Sequence, residues 1–202
     1  MKQADTDRIL DYLEGQKRSM VSLLQELVSL ESPTNVPETQ DPVLGLIGQR
    51  LEAVGFTVLR MPGKQTGGFL VSRPAERVKG APLQLLVGHC DTVWPLGTID
   101  EMPPVIRNGT MKGPGVFDMK SGLVQMIYAL KAIRAFGLEL RLKPVLIINS
   151  DEEKGSREST AAIRRLSRIA SRAFILEPPF GPAGFFSKWR AWMKPLPGRR
   201  FV

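Results

Sequence analysis

Apolar residues recur along this chain with two different periods, and the change of period divides it into halves. Ile9, Leu10 and Leu13 fall on one short helical face; Met20, Leu23, Leu24, Leu27, Val28 and Leu30 form a second, and Val43, Leu44, Ile47, Leu51 and Val54 a third. This spacing predicts three helices. The second should break at residues 32–37, Ser-Pro-Thr-Asn-Val-Pro, and the third should open at Asp41-Pro42 and end at Gly55. A strand is predicted at residues 56–59.

Beyond residue 60 the pattern alternates between short apolar runs and helical stretches. Strands are predicted at 69–71, 83–87, 145–148 and 173–176, and helices at about 119–136 and 160–166. The runs at 83–87 and 145–148 have no polar alternation, as in strands covered on both faces. The expected fold is therefore α/β: a mixed, mostly parallel sheet flanked by helices. No internal repeat is present.

Composition narrows the class. With 202 residues, 43% hydrophobic and 24% charged, the chain has enough material for one domain with a real core. The single cysteine excludes an internal disulfide framework and fits a reducing compartment. Residues 1–17 mix acids and bases without an apolar leader segment, and no apolar run is long enough to span a membrane. A cytoplasmic protein without membrane contact is expected. The net charge of +8 hints at nucleic acid, but its distribution argues against that partner. All 20 acidic residues lie within 1–177 beside 23 of the basic ones, whereas the last 25 residues hold five bases and no acid. The excess is partly a property of the tail.

The candidate chemistry centres on the only histidine. His89 and Asp91 stand two residues apart at the polar end of the 83–87 run, so in an extended strand they project together and Cys90 projects oppositely. Asp118 lies in a glycine-containing loop that opens a helix. Glu152-Glu153 and Glu177 each follow the carboxyl end of an apolar strand. Ligands of open α/β sheets gather at those ends. One imidazole with several carboxylates suits Zn²⁺, and also Mn²⁺ or Co²⁺. A two-metal site further needs a bridging carboxylate, and a carboxylate free of metal to act as general base. Glu152 and Glu153, pointing different ways, are placed to divide such roles.

Each of these features also has a plainer explanation. Asp118 could cap the helix that follows, which is compatible with binding metal. Gly113 and Gly115 lack the Gly-Lys-Ser/Thr ending of a phosphate loop. Cys90, facing away from His89, reads as a buried thiol rather than a nucleophile. Trp189 and Trp192 among lysines and arginines resemble a membrane-surface or single-strand-binding segment, with a disordered tail as the preferred reading.

Four segments in order carry a family resemblance: His89-Cys90-Asp91-Thr92-Val93, the stretch from Gly113 through Asp118-Met119-Lys120 to Gly122, Asp151-Glu152-Glu153-Lys154-Gly155-Ser156, and Leu176-Glu177-Pro178. Over roughly residues 5–180 the chain resembles the M20 metallopeptidases, and within them the glutamate carboxypeptidase group. The resemblance implies a two-zinc hydrolase of amide bonds, acting at a peptide C-terminus or on an N-acyl amino acid. It implies that His89 and Glu177 bind one metal, Asp118 bridges, Glu153 binds the second, Asp91 orients His89, and Glu152 is the general base.

The chain departs from that family in ways that shape the expectation. Family members are longer, their catalytic domain is interrupted by a lid and dimerisation domain, and a second histidine completes the second metal site. Here no histidine follows His89. The expected organisation is residues 1–180 as the first part of a catalytic domain, with 181–202 as a non-native, poorly ordered basic tail. The lid, the dimerisation domain and the family's homodimer would then be missing, and the second metal site incomplete. The alternative is a catalytically inactive fragment that at most binds metal or a partner.

Overall fold

A computed structural model of the chain describes residues 3–76, 78–178 and 200–201. Three helices come first: α1 (Gln3–Gly15), α2 (Lys17–Ser29) and α3 (Gln40–Ala53), the last preceded by a 3-10 turn at Pro37–Thr39. Strands β1 (Phe56–Met61) and β2 (Phe69–Pro74) follow as an antiparallel pair, then β3 (Leu83–His89). A short helix, α4 (Thr98–Glu101), and a hairpin of β4 (Val105–Arg107) and β5 (Thr110–Lys112) occupy a stretch to which sequence periodicity assigned no element. The second half consists of α5 (Ser121–Ala135), β6 (Lys143–Asn149), α6 (Thr160–Ile169), β7 (Ala170–Ile175) and a two-residue β8 (Arg200–Phe201).

The main sheet has the order β1-β2-β6-β3-β7-β8. Pairings are antiparallel from β1 to β6 and parallel from β6 to β8, so the sheet is mixed and mostly parallel. The apolar run in β3 is explained by its two faces. Leu86 joins Leu70, Leu146 and Ile148 beneath α2, α3 and α5, while Leu85 and Val87 join Ile147 and Ile163 beneath α6. Leu23 and Leu27 of α2, and Val43, Leu44, Ile47 and Leu51 of α3, supply the helical side of the larger core, as their spacing predicts. Leu10, grouped with Ile9 and Leu13 on the face of the first helix by periodicity, is instead 59% exposed.

Topology now fixes where a site can form. From β3 the chain crosses over through α5 to β6 on one side, then through α6 to β7 on the other side. Crossovers between parallel strands are right-handed, so steps in opposite directions put α5 and α6 on opposite faces. The carboxyl ends of β6, β3 and β7 therefore flank a switch point, where open α/β sheets bind ligands. The expected tail at 181–202 lies outside the described residues, apart from the Arg200–Phe201 pairing with Arg172 and Ala173.

Candidate metal centre

His89 is the last residue of β3 and is fully buried. Its Nδ1 lies 3.0 Å from the main-chain oxygen of Asp91 and 3.2 Å from Asp91 Oδ1. Its Nε2 lies 3.2 Å from Asp118 Oδ1, 3.2 Å from Glu177 Oε1 and 4.0 Å from Glu152 Oε2. One ring edge thus faces its own strand end, and the other faces carboxylates from three separate segments. The main-chain N–H of His89 donates to Met119 Sδ at 3.1 Å, which seats the strand end against the Asp118 turn.

Each acidic residue reaches this point for a local reason. Asp118 sits in an irregular turn, Val116–Lys120, with non-helical backbone at Asp118 and Met119 and a cis peptide between them. Gly115 opens that turn at φ +70°, and a Cβ there would meet Thr92 Cγ2 at 2.7 Å, so only glycine lets the turn lie this close to the β3 extension. Lys120 anchors the far end of the turn. Its buried ammonium donates to Leu27 O at 3.0 Å and Leu30 O at 2.8 Å, the free carbonyls ending α2. Burial lowers the Lys120 pKa to about 8.

Glu152 and Glu153 begin a 3-10 turn just past β6. Asp151 ties that turn down, accepting from Ser159 Oγ at 2.6 Å, from Asn149 Nδ2 at 2.8 Å, and from the main-chain N–H groups of Glu158 and Ser159. Asp91 holds it from the other side: Oδ1 accepts the N–H of Glu152 and Oδ2 the N–H of Glu153, each at 3.2 Å. Glu177 follows β7, and Leu176 N–H donates to Val87 O at 3.1 Å, keeping it beside β3.

The residues expected to form a site therefore converge. His89, Glu152 and Glu177 offer ligand atoms all within 4.8 Å of one another, as do His89, Asp118 and Glu153. Burial acts to lower the His89 pKa, but the carboxylates of Asp118, Asp91 and Glu177 outweigh it and hold that pKa well above the ordinary imidazole value. Burial raises Glu153 to about 7, opposed by His89 and reinforced by Asp118, Asp91 and Glu152. Glu177 is raised first by burial, against the pull of His89. Both Glu177 carboxylate oxygens are buried without a well-oriented hydrogen bond, although Oε1 lies 3.2 Å from the ring nitrogen. Buried carboxylates left in this way are costly unless a cation pairs with them. A divalent ion with nitrogen and oxygen ligands fits these residues. Cys90, in contrast, is buried among core side chains, and burial pushes its thiol up to about 12.

Sequence periodicity missed the residues behind this centre. Thr34 and Ser32, read only as part of a helix break, pack against Cys90–Thr92. Gln40 donates from Nε2 to Pro33 O at 3.0 Å, and Glu158 accepts the N–H groups of Lys64, Gln65 and Thr66. Apart from the Gln40–Pro33 bond, these contacts cross long sequence separations, which spacing alone does not reveal.

Fold and site together define an α/β protein with a cluster of one imidazole and several carboxylates, a candidate metal centre, at the carboxyl edge of its sheet. The model of Peptidase family M20/M25/M40 matches residues 85–186, half of the chain, and the chain belongs to that family. It is 28% identical over 162 residues to carboxypeptidase G2 of Pseudomonas sp. (strain RS-16), covering 79% of this chain and 39% of that protein. It is 31% identical over 152 residues to a succinyl-diaminopimelate desuccinylase of Bordetella pertussis, covering 72% and 38%. The chain thus spans well under half the length of these relatives. The fold matches human carnosine dipeptidase 1 at a TM-score of 0.71 and 19% identity, over 84% of this chain and 40% of that one. It matches the M20 family metallo-carboxypeptidase Sso-CP2 of Sulfolobus solfataricus at 0.63 and 21%, over 77% and 36%. Among the described residues no helix is long and apolar enough to cross a membrane.

Proposed function

We propose that this chain provides the metal-binding core of a hydrolase that cleaves the amide bond of an N-acyl amino acid or of a peptide at its C-terminus. The observation that carries the reading is the buried Glu177 carboxylate 3.2 Å from His89 Nε2, with Asp118 equally close to that nitrogen, an arrangement that a divalent cation would complete. The names of the two sequence relatives, a carboxypeptidase and a desuccinylase, support the substrate class. The lone buried cysteine supports a reducing, cytoplasmic location.

In this reading His89 and Glu177 would hold one ion, Glu153 would hold a second and Asp118 would serve both, with Zn²⁺ as the expected metal and Co²⁺ or Mn²⁺ as substitutes. Such ions polarise a scissile carbonyl and lower the pKa of water. Glu152 acts as general base, taking a proton from the attacking water and passing it to the departing nitrogen. Asp91 fixes the imidazole by holding Nδ1, which leaves Nε2 for the ion. Both clusters draw on the same imidazole, and one Nε2 ligates one ion, so the second position has carboxylates alone.

The test is zinc titration of the metal-stripped 202-residue chain, followed by assay on N-acyl amino acids and peptides ending in glutamate. Uptake near one equivalent, lost in His89→Ala, supports the metal centre. Uptake without turnover favours the binding-only alternative, for which the shared imidazole argues. No specific uptake of zinc, cobalt or manganese overturns the reading.

A further inference from the structure

The strap between α2 and α3 carries an unassigned role at this centre. Residues 32–34 run beside the extension of β3 like an added strand: Thr92 N–H donates to Ser32 O at 2.9 Å, and Thr34 N–H donates to Thr92 O at 3.2 Å. Ser32 Oγ donates to Cys90 O at 2.6 Å, and Gln40 clasps Pro33 from behind. The strap is thereby held independently of the Thr34 side chain. That side chain, only 4% exposed, donates its hydroxyl to Asp91 Oδ2 at 2.8 Å, the nearer of two acceptors, with Thr92 O at 3.3 Å.

Asp91 is 1% exposed and its two oxygens are fully engaged. Oδ1 takes the Glu152 N–H and faces His89 Nδ1, while Oδ2 takes the Glu153 N–H and the Thr34 hydroxyl. The Thr34 contact is the shortest of these. The terminal torsion of an aspartate is broad and two-fold, so the carboxylate plane is set by its partners and not by its own rotamer. We propose that Thr34 is a positioning residue of the metal centre, acting through Asp91. Its hydroxyl sets the carboxylate plane so that Oδ1 meets the imidazole while the two oxygens hold the two glutamate amides. The proposal rests on the metal-centre reading for its function, but the contact itself can be read without metal.

Thr34→Val keeps the shape and removes the donor, Thr34→Ala removes both, and Thr34→Ser keeps the donor. The chain has one histidine, so the ring ¹⁵N resonances of the metal-free protein report His89 without overlap. Thr34→Val and Thr34→Ala should shift those resonances at fixed pH, and Thr34→Ser should restore them. Zinc affinity should fall about tenfold in the Val variant, as for other groups that orient a ligating histidine, with an altered Co²⁺ absorption spectrum and rescue by Ser. Ring resonances identical in wild type and Thr34→Val overturn the proposal whatever the metal titration gives. Shifts that serine fails to restore also overturn it. If the wild-type chain takes up no metal while the ring shifts appear, the positioning contact stands and the metal-centre reading falls.

Discussion

Asp91 Oδ1 accepts the main-chain N–H of Glu152 at 3.2 Å while lying 3.2 Å from Nδ1 of His89. A single carboxylate thus couples the end of β3 to the turn after β6. The side chain that lies against the imidazole also holds the main chain where both glutamates start. Loss of that carboxylate therefore reaches every candidate ligand except Asp118 and Glu177.

Asp91→Ala should weaken zinc binding by about 10- to 100-fold, the range for removing a carboxylate behind a ligating histidine. It should also destabilise the metal-free chain, because it leaves the buried Glu152 amide and the half-buried Glu153 amide unsatisfied, the buried one costing about 1–3 kcal/mol. Zinc calorimetry and urea unfolding measure the two effects. Unchanged affinity in a folded variant would show that packing and the main-chain oxygen of residue 91, 3.0 Å from Nδ1, hold His89 without the carboxylate.

Glu177 and Glu152 should separate by role. Glu177→Gln removes a charge 3.2 Å from Nε2, so zinc affinity should fall at least about tenfold, as for loss of a ligand-shell carboxylate. Glu152 stands farther off at 4.0 Å, and Glu152→Gln should leave affinity nearly unchanged while removing any turnover the chain has. Equal losses of affinity would make Glu152 a ligand and not a base.

The strand-end residues were legible because apolar runs announce where strands stop. Residues 83–87 and 145–148 marked β3 and β6, and His89 and Glu152-Glu153 followed directly. Asp118 was legible from its motif, but the turn that carries it was not. Residue spacing predicts a helix from about 119, whereas the helix begins at Ser121 after non-helical backbone at Asp118 and Met119. The hairpin β4–β5 was missed because its strands are three residues long and mostly exposed, too short for a period to register. Thr34 was hidden for another reason. Its partner lies 57 residues away, and a threonine in a Ser-Pro-Thr-Asn break looks like any turn residue.

The metal-free chain should lose stability as pH rises, and zinc should reverse the trend. Glu153 is raised from 4.5 to about 7, so between those values the folded state holds a proton that the unfolded state has lost. His89 is raised well above 6.5, so its stabilising contribution is complete below 6.5 and is lost as pH climbs through its folded value. Both make folding less favourable with rising pH, because the native state binds more protons. Zinc needs deprotonated ligands, so the loaded form should instead gain stability over the same range. Thermal unfolding from pH 5 to 8, with chelator and with zinc, checks both slopes. A metal-free midpoint that rises steadily towards pH 8 would contradict the picture of carboxylates crowded around one imidazole.

Gly122 tests whether the site depends on close packing between α5 and the end of β7. A Cβ at this position would clash with Leu176 O and lie 3.3 Å from Leu176 Cβ. The neighbour is main chain and cannot swing aside, so Gly122→Ala must push the strand end away from the helix. Leu176 precedes Glu177, and its N–H bond to Val87 O keeps that segment against β3. The displacement should carry the Glu177 carboxylate away from Nε2. Overpacking of this kind costs about 1–3 kcal/mol, which urea unfolding would register. Zinc affinity should fall as well, and by more than in Gly45→Ala, a helical position with nothing within 4 Å of the added Cβ. A Gly122→Ala protein with lowered stability but intact zinc affinity would show that Glu177 reaches His89 without help from this contact.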